Sequence, residues 1–308
     1  MFSNLKIQNN KVRRNPKRFL RAFSSNLSAW ILLLPAVILL FIIAWQPIFE
    51  GMFLSFFKMK GYNMGEFVGF KNYTDVLTDP IFPVVLGNTV KYVMWSLIIG
   101  FIPPIAIAIM INEIRHTNGF IKFSIYCPAM VPAVATALIW YFLFLPGDAG
   151  LVNLILGKIG IPPLSWLQDK NLSIPTIIFT MSWKGFGASA LIYLAALQGV
   201  SHELYEAATI DGAGIPRKIW SITLPQVSGI ILLMFVRQIV GVFQVMMEPM
   251  IMTDGGPNNA SLSLNLHTYL SAFRYYQIDK ALALSVITFL ILIVMTVFYF
   301  IVKKKVED

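Results

Sequence analysis

Residues 206–214 read Glu-Ala-Ala-Thr-Ile-Asp-Gly-Ala-Gly, and residues 222–225 read Ile-Thr-Leu-Pro. This polar stretch lies between two strongly apolar runs. Ser201 comes just before it, and its hydroxyl can accept a hydrogen bond from a free backbone N–H, which predicts the start of a short helix. Gly212 and Gly214 predict the end of that helix, because glycine adopts positive φ without a steric penalty.

Two prolines predict the structure of the second half of this stretch. Pro216 suits the first turn of a second short helix, where its missing N–H would be unpaired anyway. Pro225 is expected to break the chain before the next apolar run. We therefore expect residues 199–225, called the knob below, to form a compact helix–turn–helix with carboxylates on its surface. Such a knob suits docking into a cleft on another protein better than it suits chemistry.

The composition sets the class of protein. The chain has 308 residues, of which 57% are hydrophobic and 13% charged, with a mean hydropathy of +0.70. Soluble domains are usually about 45–50% apolar and about 25% charged, so an integral membrane protein is indicated. The formal net charge of +9 includes a dense basic cluster beside the first apolar run, which argues against a nucleic-acid partner. The single cysteine, Cys127, excludes a disulfide or cysteine–metal framework.

Six apolar runs are each long enough to cross the roughly 30 Å hydrocarbon core as a helix. They predict an all-α protein of the cytoplasmic membrane, with six transmembrane helices in one domain, residues 29–302. A basic arm, residues 1–28, precedes this domain, and a tail, residues 303–308, follows it. The predicted spans are residues 30–48, 84–111, 120–145, 174–197, 227–247 and 281–302.

The basic residues predict the orientation of these spans. Fourteen of them fall in the arm, the tail and the other predicted inner segments, against seven in the predicted outer loops. Because positive charge accumulates on the cytoplasmic side, both termini and the knob are expected to be cytoplasmic. The arm is interpreted as a topology signal beside the membrane lipid, in preference to a site for RNA or for one particular lipid.

The knob also carries a motif of fixed spacing. Glu-Ala-Ala is followed by Asp-Gly-Ala and, after nine residues beyond Gly212, by Ile-x-Leu-Pro. This pattern resembles the EAA loop of ABC importer permeases. The residues around it are similar to those of the carbohydrate-uptake branch of that family, the relatives of the maltose permeases. The resemblance implies a type I ABC importer permease fold in which this loop couples to a cytoplasmic ATPase. The implied coupling residues are Glu206, Ala207, Ala208, Asp211, Gly212, Ala213, Ile222, Leu224 and Pro225.

The same resemblance implies a carbohydrate importer, with an oligosaccharide as the expected substrate. Its other members would be a second, homologous permease forming a heterodimer with this chain, a cytoplasmic ATPase dimer and an extracellular or periplasmic solute-binding protein. The sequence has no Gly-x-x-x-x-Gly-Lys-Ser/Thr loop for nucleotide phosphates. ATP and Mg are therefore expected on the ATPase, while this chain is expected to bind no cofactor or metal and to carry no catalytic residues.

Three alternatives remain open at this point: an ABC permease for a non-sugar solute, a secondary transporter, and a membrane scaffold or sensor that binds a partner through the knob. Proton-coupled transporters commonly carry acids inside their spans as relays. No Asp or Glu lies well inside any predicted span of this chain, which weakens the secondary-transporter alternative.

The fourth and fifth predicted spans are expected to line the substrate path. Aromatic faces suit the C–H surfaces of sugars, and amides suit their hydroxyls. The candidates selected by this chemistry are Trp183, Phe243 and Gln244. The positions that the resemblance adds, by matching binding positions of the maltose-type relatives, are Gly185, Ala188, Val242 and Val245. For each aromatic residue, ordinary packing between helices remains the alternative.

Two cations, Lys184 and Arg237, fall about halfway along these two spans. A charge at that depth costs about 2.5–3.5 kcal/mol on insertion scales, so it should face a cavity or a partner. No acid in this chain is placed at that depth. An acidic substrate, for example an oligosaccharide containing a uronic acid, is therefore one prediction. The alternatives are a carboxylate on the second permease, backbone carbonyls, or a position of Arg237 toward the lipid headgroups.

Overall fold

The computed structural model describes residues 27–113 and 119–307, so most of the basic arm lies outside the described residues. The chain forms two compact units, divided between Phe53 and Leu54. The first unit is built from α1 (Leu27–Leu40), a π turn (Phe41–Trp45) and most of α2 (Gln46–Leu54). They form one helical segment that is longer than the predicted first span.

The second unit begins with a small antiparallel hairpin and continues almost entirely as helices. Its strands and first helices are β1 (Phe57–Lys60), β2 (Asn63–Phe67), α3 (Lys71–Leu77), α4 (Ile81–Ser96), α5 (Ile102–Glu113), α6 (Gly119–Tyr126), α7 (Ala133–Leu143) and α8 (Leu151–Gly157). The later helices are α9 (Ser173–Leu197), α10 (His202–Ile210), α11 (Ile215–Lys218), α12 (Leu224–Gln226), α13 (Ser228–Phe243), α14 (Met247–Met252), α15 (Leu264–Phe273) and α16 (Ile278–Glu307). Two π turns, Leu97–Phe101 and Ile219–Thr223, join α4 to α5 and α11 to α12.

The described residues contain four helical segments that are long and apolar enough to cross a membrane. Two further pairs of helices pass the same test together, which gives six spans when each bent pair counts as one. The predicted six-helix membrane architecture is therefore confirmed on this count. The cytoplasmic position of the two termini stays a prediction.

Two predicted spans are interrupted. The third bends by 90° between residues 130 and 133, where Val131 is extended, as expected for a residue that precedes a proline. The fifth bends by 73° at Val227, and its helix ends at Phe243 instead of residue 247. Hydropathy alone does not locate these bends, because it reports burial in lipid but not the direction of the chain.

One short hairpin accompanies the helices of this otherwise helical chain. Its strands pair Lys60 with Asn63 across a two-residue turn. Gly61, with φ of 60°, occupies the first turn position, which suits a type II′ turn. The composition of this stretch predicted only a loop, since glycine and asparagine mark turns whether or not strands flank them.

Three apolar clusters hold the second unit together: one around Ile177 and Ile178, one around Leu264 and Leu266, and one at the knob end. α9 contributes to the first cluster near its start and, with Tyr193, Leu194 and Leu197, to the cluster at the knob end. It is therefore a central helix of the bundle.

The loop of residues 253–263, at the end of the bundle away from the knob, is fixed by buried polar groups. Asn88 Nδ2 donates to the carbonyl oxygens of Asn259, at 2.7 Å, and of Leu262, at 3.1 Å. Tyr92 Oη donates to a third loop carbonyl at 2.9 Å. Asn88 and Tyr92 are both buried, so α4 supplies the partners that the backbone of this loop lacks.

Candidate functional site

The first helix of the knob starts and ends through bonds within the knob. Ser201 Oγ accepts a hydrogen bond from the Glu203 N–H at 3.3 Å, which confirms the predicted start of α10. Gly212 has φ of 73°, and the Ala213 N–H donates to the Ala208 carbonyl at 2.8 Å. In helices that end at a glycine with positive φ, the N–H that follows the glycine donates to a carbonyl of the last turn in this way. The predicted end of α10 at Gly212 is therefore present.

The second half of the knob differs in part from the prediction. Gly214 is extended, with φ of −69°, so the expectation of positive φ there was wrong; the residue precedes α11 as its cap. Pro216 lies in the first turn of α11, as predicted. Pro225 does not interrupt the chain, since one helical segment runs from Ile215 through the π turn and Pro225 to Gln226. The break comes two residues later, at Val227.

Two side-chain hydrogen bonds join the halves of the knob. Tyr205 Oη lies 3.1 Å from Thr223 Oγ1, and Lys218 Nζ donates to Thr209 Oγ1 at 2.8 Å. Since these bonds link α10 to the helix that leads into α13, the knob is mechanically connected to the next span.

The outward surface of the knob combines apolar and acidic groups. Ile210 is 87% exposed and Ile215 is 68% exposed. Exposed apolar residues grouped on one element mark interaction surfaces. Of the predicted coupling residues, the exposed ones are Glu206, Ala207, Asp211, Gly212 and Pro225, and the half-buried ones are Ala208, Ala213, Ile222 and Leu224. Their role in coupling stays a prediction.

A cavity of about 340 Å³ lies between α9, α13 and the π turn that joins α4 to α5. Four of the predicted substrate-path residues line it. They are Gly185, Ala188, Arg237 and Val242. Residues that line it but were not predicted include Gly100, Ser182, Ser189, Gln238 and Gly241.

Two polar side chains converge on Gly100 at the edge of this cavity. A Cβ at position 100 would lie 2.7 Å from Gln238 Nε2 and 2.8 Å from Ser182 Oγ. Because Gly100 has no side chain, the Gln238 amide and the Ser182 hydroxyl can approach the backbone of the π turn this closely. π turns within helices are frequent at functional sites. The cavity thus has a polar wall in an otherwise apolar bundle.

Arg237 contributes a positive charge to the same cavity. Its Nη1 lies 3.9 Å from Met234 Sδ, a weak acceptor. Among the described residues, no carboxylate forms an ion pair with this guanidinium. Arg237 can therefore interact with an anion that comes from outside this part of the chain.

The phase of α9 explains why Trp183 and Lys184 do not line the cavity. Ser182, Gly185 and Ser189 recur at helical spacing and share the cavity face, whereas positions 183 and 184 fall on the flanks. Trp183 packs edge-on against Trp140 of α7, with ring centroids 5.5 Å apart. Lys184 is half-buried and, within the described residues, has no ion-pair partner.

Three more predicted residues do not line the cavity, because they lie at or beyond the end of α13. Phe243 and Val245 are buried, and Val245 belongs to the same apolar cluster as Ile177 and Ile178. Gln244 is exposed where the helix ends, and its carbonyl oxygen accepts a bond from Asn265 Nδ2 at 2.8 Å. Ser182 and Gln238 could have been found by extending the faces of Gly185 and Val242 by three and four residues, respectively, which is helical spacing.

The residues that the structure describes hold no group of three or more His, Cys, Asp or Glu side chains arranged to bind a metal. The site therefore offers hydrogen-bonding groups and one cation around a cavity, together with a separate docking surface on the knob. This arrangement can bind and release a polar solute.

Comparison with known proteins gives the family. The model of the binding-protein-dependent transport system inner membrane component matches residues 104–308. The chain is 32% identical over 267 residues to the probable ABC transporter permease protein YurN of Bacillus subtilis, covering 85% of this chain and 91% of that protein. It is 28% identical over 277 residues to the arabinooligosaccharides transport system permease protein AraP of the same species, covering 89% and 88%. It is 30% identical over 277 residues to the sulfoquinovosyl glycerol transport system permease protein SmoG of Agrobacterium fabrum, covering 89% of both chains.

Solved structures share the fold. A chain of a bacterial ABC transporter involved in the import of the acidic polysaccharide alginate superimposes with a TM-score of 0.81 at 24% identity, covering 94% of this chain and all of that one. A chain of a bacterial alginate ABC transporter in complex with an alginate pentasaccharide-bound periplasmic protein gives 0.79 at 25% identity, covering 92% and 96%. The chain therefore belongs to the inner membrane components of binding-protein-dependent transport systems, and it is a multi-pass ABC transporter permease.

Proposed function

We propose that this permease moves a carbohydrate, specifically an oligosaccharide, across the cytoplasmic membrane by ATP-driven alternating access. The observation that carries the proposal is the polar wall of the cavity between α9 and α13. Ser182 and Gln238 can each donate and accept hydrogen bonds, as sugar hydroxyls do. The naming of AraP as a permease for arabinooligosaccharides supports this substrate class.

The proposed assembly contains a second, homologous permease, a cytoplasmic ATPase dimer and a solute-binding protein. The complex of an alginate transporter with its periplasmic protein supports the last of these partners. ATP and Mg would bind to the ATPase, which would hold the exposed surface of the knob. Alternating access requires that substrate and ATP bind the two conformations with different affinities. This chain supplies the path and the mechanical link, and it catalyses no reaction.

Uptake by the complete transporter tests the substrate class. Gln238→Ala should reduce uptake of labelled neutral oligosaccharides, such as arabinotriose, by about ten-fold, since a lost hydrogen bond is worth about 1–1.5 kcal/mol. Gln277→Ala, which removes an exposed amide far from the cavity, is the matched control and should leave uptake unchanged. Transport of amino acids or peptides, with no transport of any oligosaccharide, would contradict the proposal.

A second candidate is a uronate-containing oligosaccharide, and Arg237 favours it. An arginine can hold a carboxylate through two parallel hydrogen bonds, and the cavity offers this one no carboxylate from the described residues. The alginate transporter is a relative of this fold at 25% identity, which supports an acidic substrate. Lys184, the other cation at this depth, lies off the cavity and is assigned no role in binding.

Two variants separate an acidic substrate from a structural charge. In the complete transporter, Arg237→Gln should selectively reduce uptake of a uronate-containing oligosaccharide compared with its carboxyl-reduced analogue. Lys184→Met, which removes a cation from the flank of α9, is the control and should change both substrates equally or not at all. Equal loss of both substrates in Arg237→Gln, or loss of assembly with the second permease, would show that Arg237 serves structure.

A further inference from the structure

A pocket at the end of the bundle away from the knob combines aromatic, amide and carboxylate groups. It has a volume of about 370 Å³ and is called the distal pocket below. Its aromatic and polar lining comes from Tyr141 near the end of α7, Gln168 before α9, and Thr253 and Asp254 after α14. Small-molecule sites are typically pockets of this size in which a few polar groups interrupt an apolar lining. The distal pocket is therefore a candidate binding site separate from the transport cavity.

The distal pocket and the transport cavity border the same apolar cluster. Following the chain into α9, Leu167 lines the distal pocket, Ile177 lies in the cluster, and Met181 lines the transport cavity. Following the chain out of α13, Val242 lines the transport cavity and Met252 lines the distal pocket, and both belong to this cluster. Since both segments give the same order, the cluster forms an apolar layer between the two spaces.

The apolar layer is thin along α9. Ile174 is the first residue of α9 in the cluster, and Ile178 already lines the transport cavity. These residues are four positions apart, which corresponds to about 6 Å of helix. The layer between the two spaces is therefore about one helical turn thick along this helix.

The side chains of the distal pocket suit an uncharged sugar residue. Gln168 is exposed, so its amide can donate to and accept from hydroxyls. Asp254 Oδ2 accepts a bond from Arg274 Nη1 at 2.8 Å, and its other carboxylate oxygen can accept one from a hydroxyl. Tyr141 offers an aromatic ring, which suits the C–H face of a sugar. Because Arg274 offsets the charge of Asp254, the pocket attracts neither a cation nor an anion strongly.

The wall that carries Asp254 is fixed by hydrogen bonds within the protein. Thr253 Oγ1 donates to the Pro249 carbonyl at 2.8 Å and lies 2.7 Å from Ser261 Oγ. Tyr92 Oη of α4 in turn donates to the Ser261 carbonyl at 2.9 Å. A preformed site loses less conformational entropy when it binds, so the same contacts give a higher affinity.

We propose that the distal pocket is an entry subsite, which binds one uncharged sugar residue of the oligosaccharide before the oligosaccharide crosses the apolar layer. This inference rests on the proposed function, in which the substrate is an oligosaccharide and the ATPase holds the knob. The end of the bundle away from the knob then faces the side from which the oligosaccharide arrives. The subsite adds contacts that the transport cavity does not supply.

Photoaffinity labelling of the complete transporter tests the subsite. Arabinotriose, xylotriose and maltotriose are first compared in uptake, and a diazirine derivative of the transported one is added without ATP and without the solute-binding protein, below half-saturation. Mass spectrometry then locates the labelled peptides. Gln168→Ala should reduce labelling of the peptides that contain Tyr141 or Asp254 by about ten-fold, the effect of one lost hydrogen bond. Gln277→Ala removes an exposed amide outside the pocket and, as the matched control, should keep wild-type labelling.

A second variant tests the aromatic contact. Tyr141→Leu removes the ring but keeps an apolar side chain against the cluster around Ile177 and Ile178, so labelling should fall while the thermal unfolding midpoint stays close to that of the wild type. Tyr275→Leu, at an exposed tyrosine outside the pocket, is its control and should keep wild-type labelling.

The expected result is labelling of the distal pocket in the wild type and both controls, with losses in Gln168→Ala and Tyr141→Leu. Uptake of the trisaccharide by the wild type without labelling of the distal pocket would overturn the subsite and leave the proposed function standing. No uptake of any oligosaccharide would overturn both. Weaker binding of the solute-binding protein by Gln168→Ala, with labelling unchanged, would show that the pocket is a protein contact and would overturn the subsite.

Discussion

The loop of residues 253–263 and the knob are both polar segments between helices, yet their surroundings are opposite. Backbone groups of the loop are bonded to buried side chains, with Asn88 alone serving two carbonyls. The knob has bonds between its own halves, while Ile210 and Ile215 at its surface stay exposed. The loop is therefore completed by its own chain, whereas the surface of the knob is suited to a partner.

This difference separates stability from function. Buried polar groups are nearly always hydrogen-bonded, so a change in the network of the loop should affect the folded state of the isolated chain. Exposed apolar residues stabilise little until another surface covers them. Changes on the knob should therefore leave the isolated chain intact and affect the assembled transporter.

The largest effect is expected at the turn of the knob. Gly212→Pro requires φ near −65° where the chain has 73°, and it removes the N–H that donates to the Thr209 carbonyl at 3.1 Å. Substrate-stimulated ATP hydrolysis by the complete transporter should fall about 100-fold or more, while membrane insertion is retained. Normal substrate-stimulated ATP hydrolysis in this variant would contradict the assignment of the knob as the coupling element.

The neighbouring glycine provides the control for that experiment. Gly214 has φ of −69°, which any residue adopts, and the nearest atom to an added Cβ is 3.9 Å away. Gly214→Ala should therefore keep wild-type ATP hydrolysis. Equal losses in the two variants would mean that the conformation of the turn is not what matters.

An intermediate effect is expected in the network of the loop. Asn88→Ala would remove the donor to the Asn259 carbonyl and to the buried Leu262 carbonyl, which should lower the free energy of unfolding by about 2 kcal/mol. The midpoint of thermal unfolding of the purified protein should fall by about 4–8 °C. Asn171→Ala removes an exposed amide and should change the midpoint by less than about 1 °C. A similar shift in both variants would contradict the contrast between loop and knob.

The smallest effect is expected at the tip of the knob. Ile210→Ala removes apolar surface that the ATPase would cover, so its affinity should fall about five-fold, equivalent to about 1 kcal/mol. The unfolding midpoint of the isolated chain should not change. Ile159→Ala, at a 71% exposed position on the loop after α8, should alter neither quantity. A lower midpoint in Ile210→Ala would place this residue with the stability-determining groups.

The parts of the fold that depend on local chemistry could be predicted from the sequence. The cap at Ser201 and the positive φ of Gly212 depend on side-chain geometry within a few residues, and both are present. The spans depend on the length of apolar runs. The bend at Val131 has a local signal in the proline that follows it, whereas the bend at Val227 could not be located, because a bent and a straight helix bury similar residues.

The transport cavity could be predicted only in part, for a different reason. Residues such as Trp183 and Phe243 were selected for their chemistry, but helix phase and helix ends decide which side chains face a cavity. Ser182 and Gln238 converge because Gly100 of another helix has no side chain, and this long-range match leaves no signal in a single sequence.

Because of the bend at Val227, the knob meets the next span at an angle. α11, the π turn and α12 form a short arm that meets α13 at 73°, so a push along the arm becomes a sideways tilt of the longer helix. Gln238 lies eleven residues beyond Val227, about 16 Å along the helix. A rotation of about 10° at the bend would then carry its amide about 3 Å, roughly the length of one hydrogen bond. A small movement at the knob is thus large enough to make or break a contact at the transport cavity.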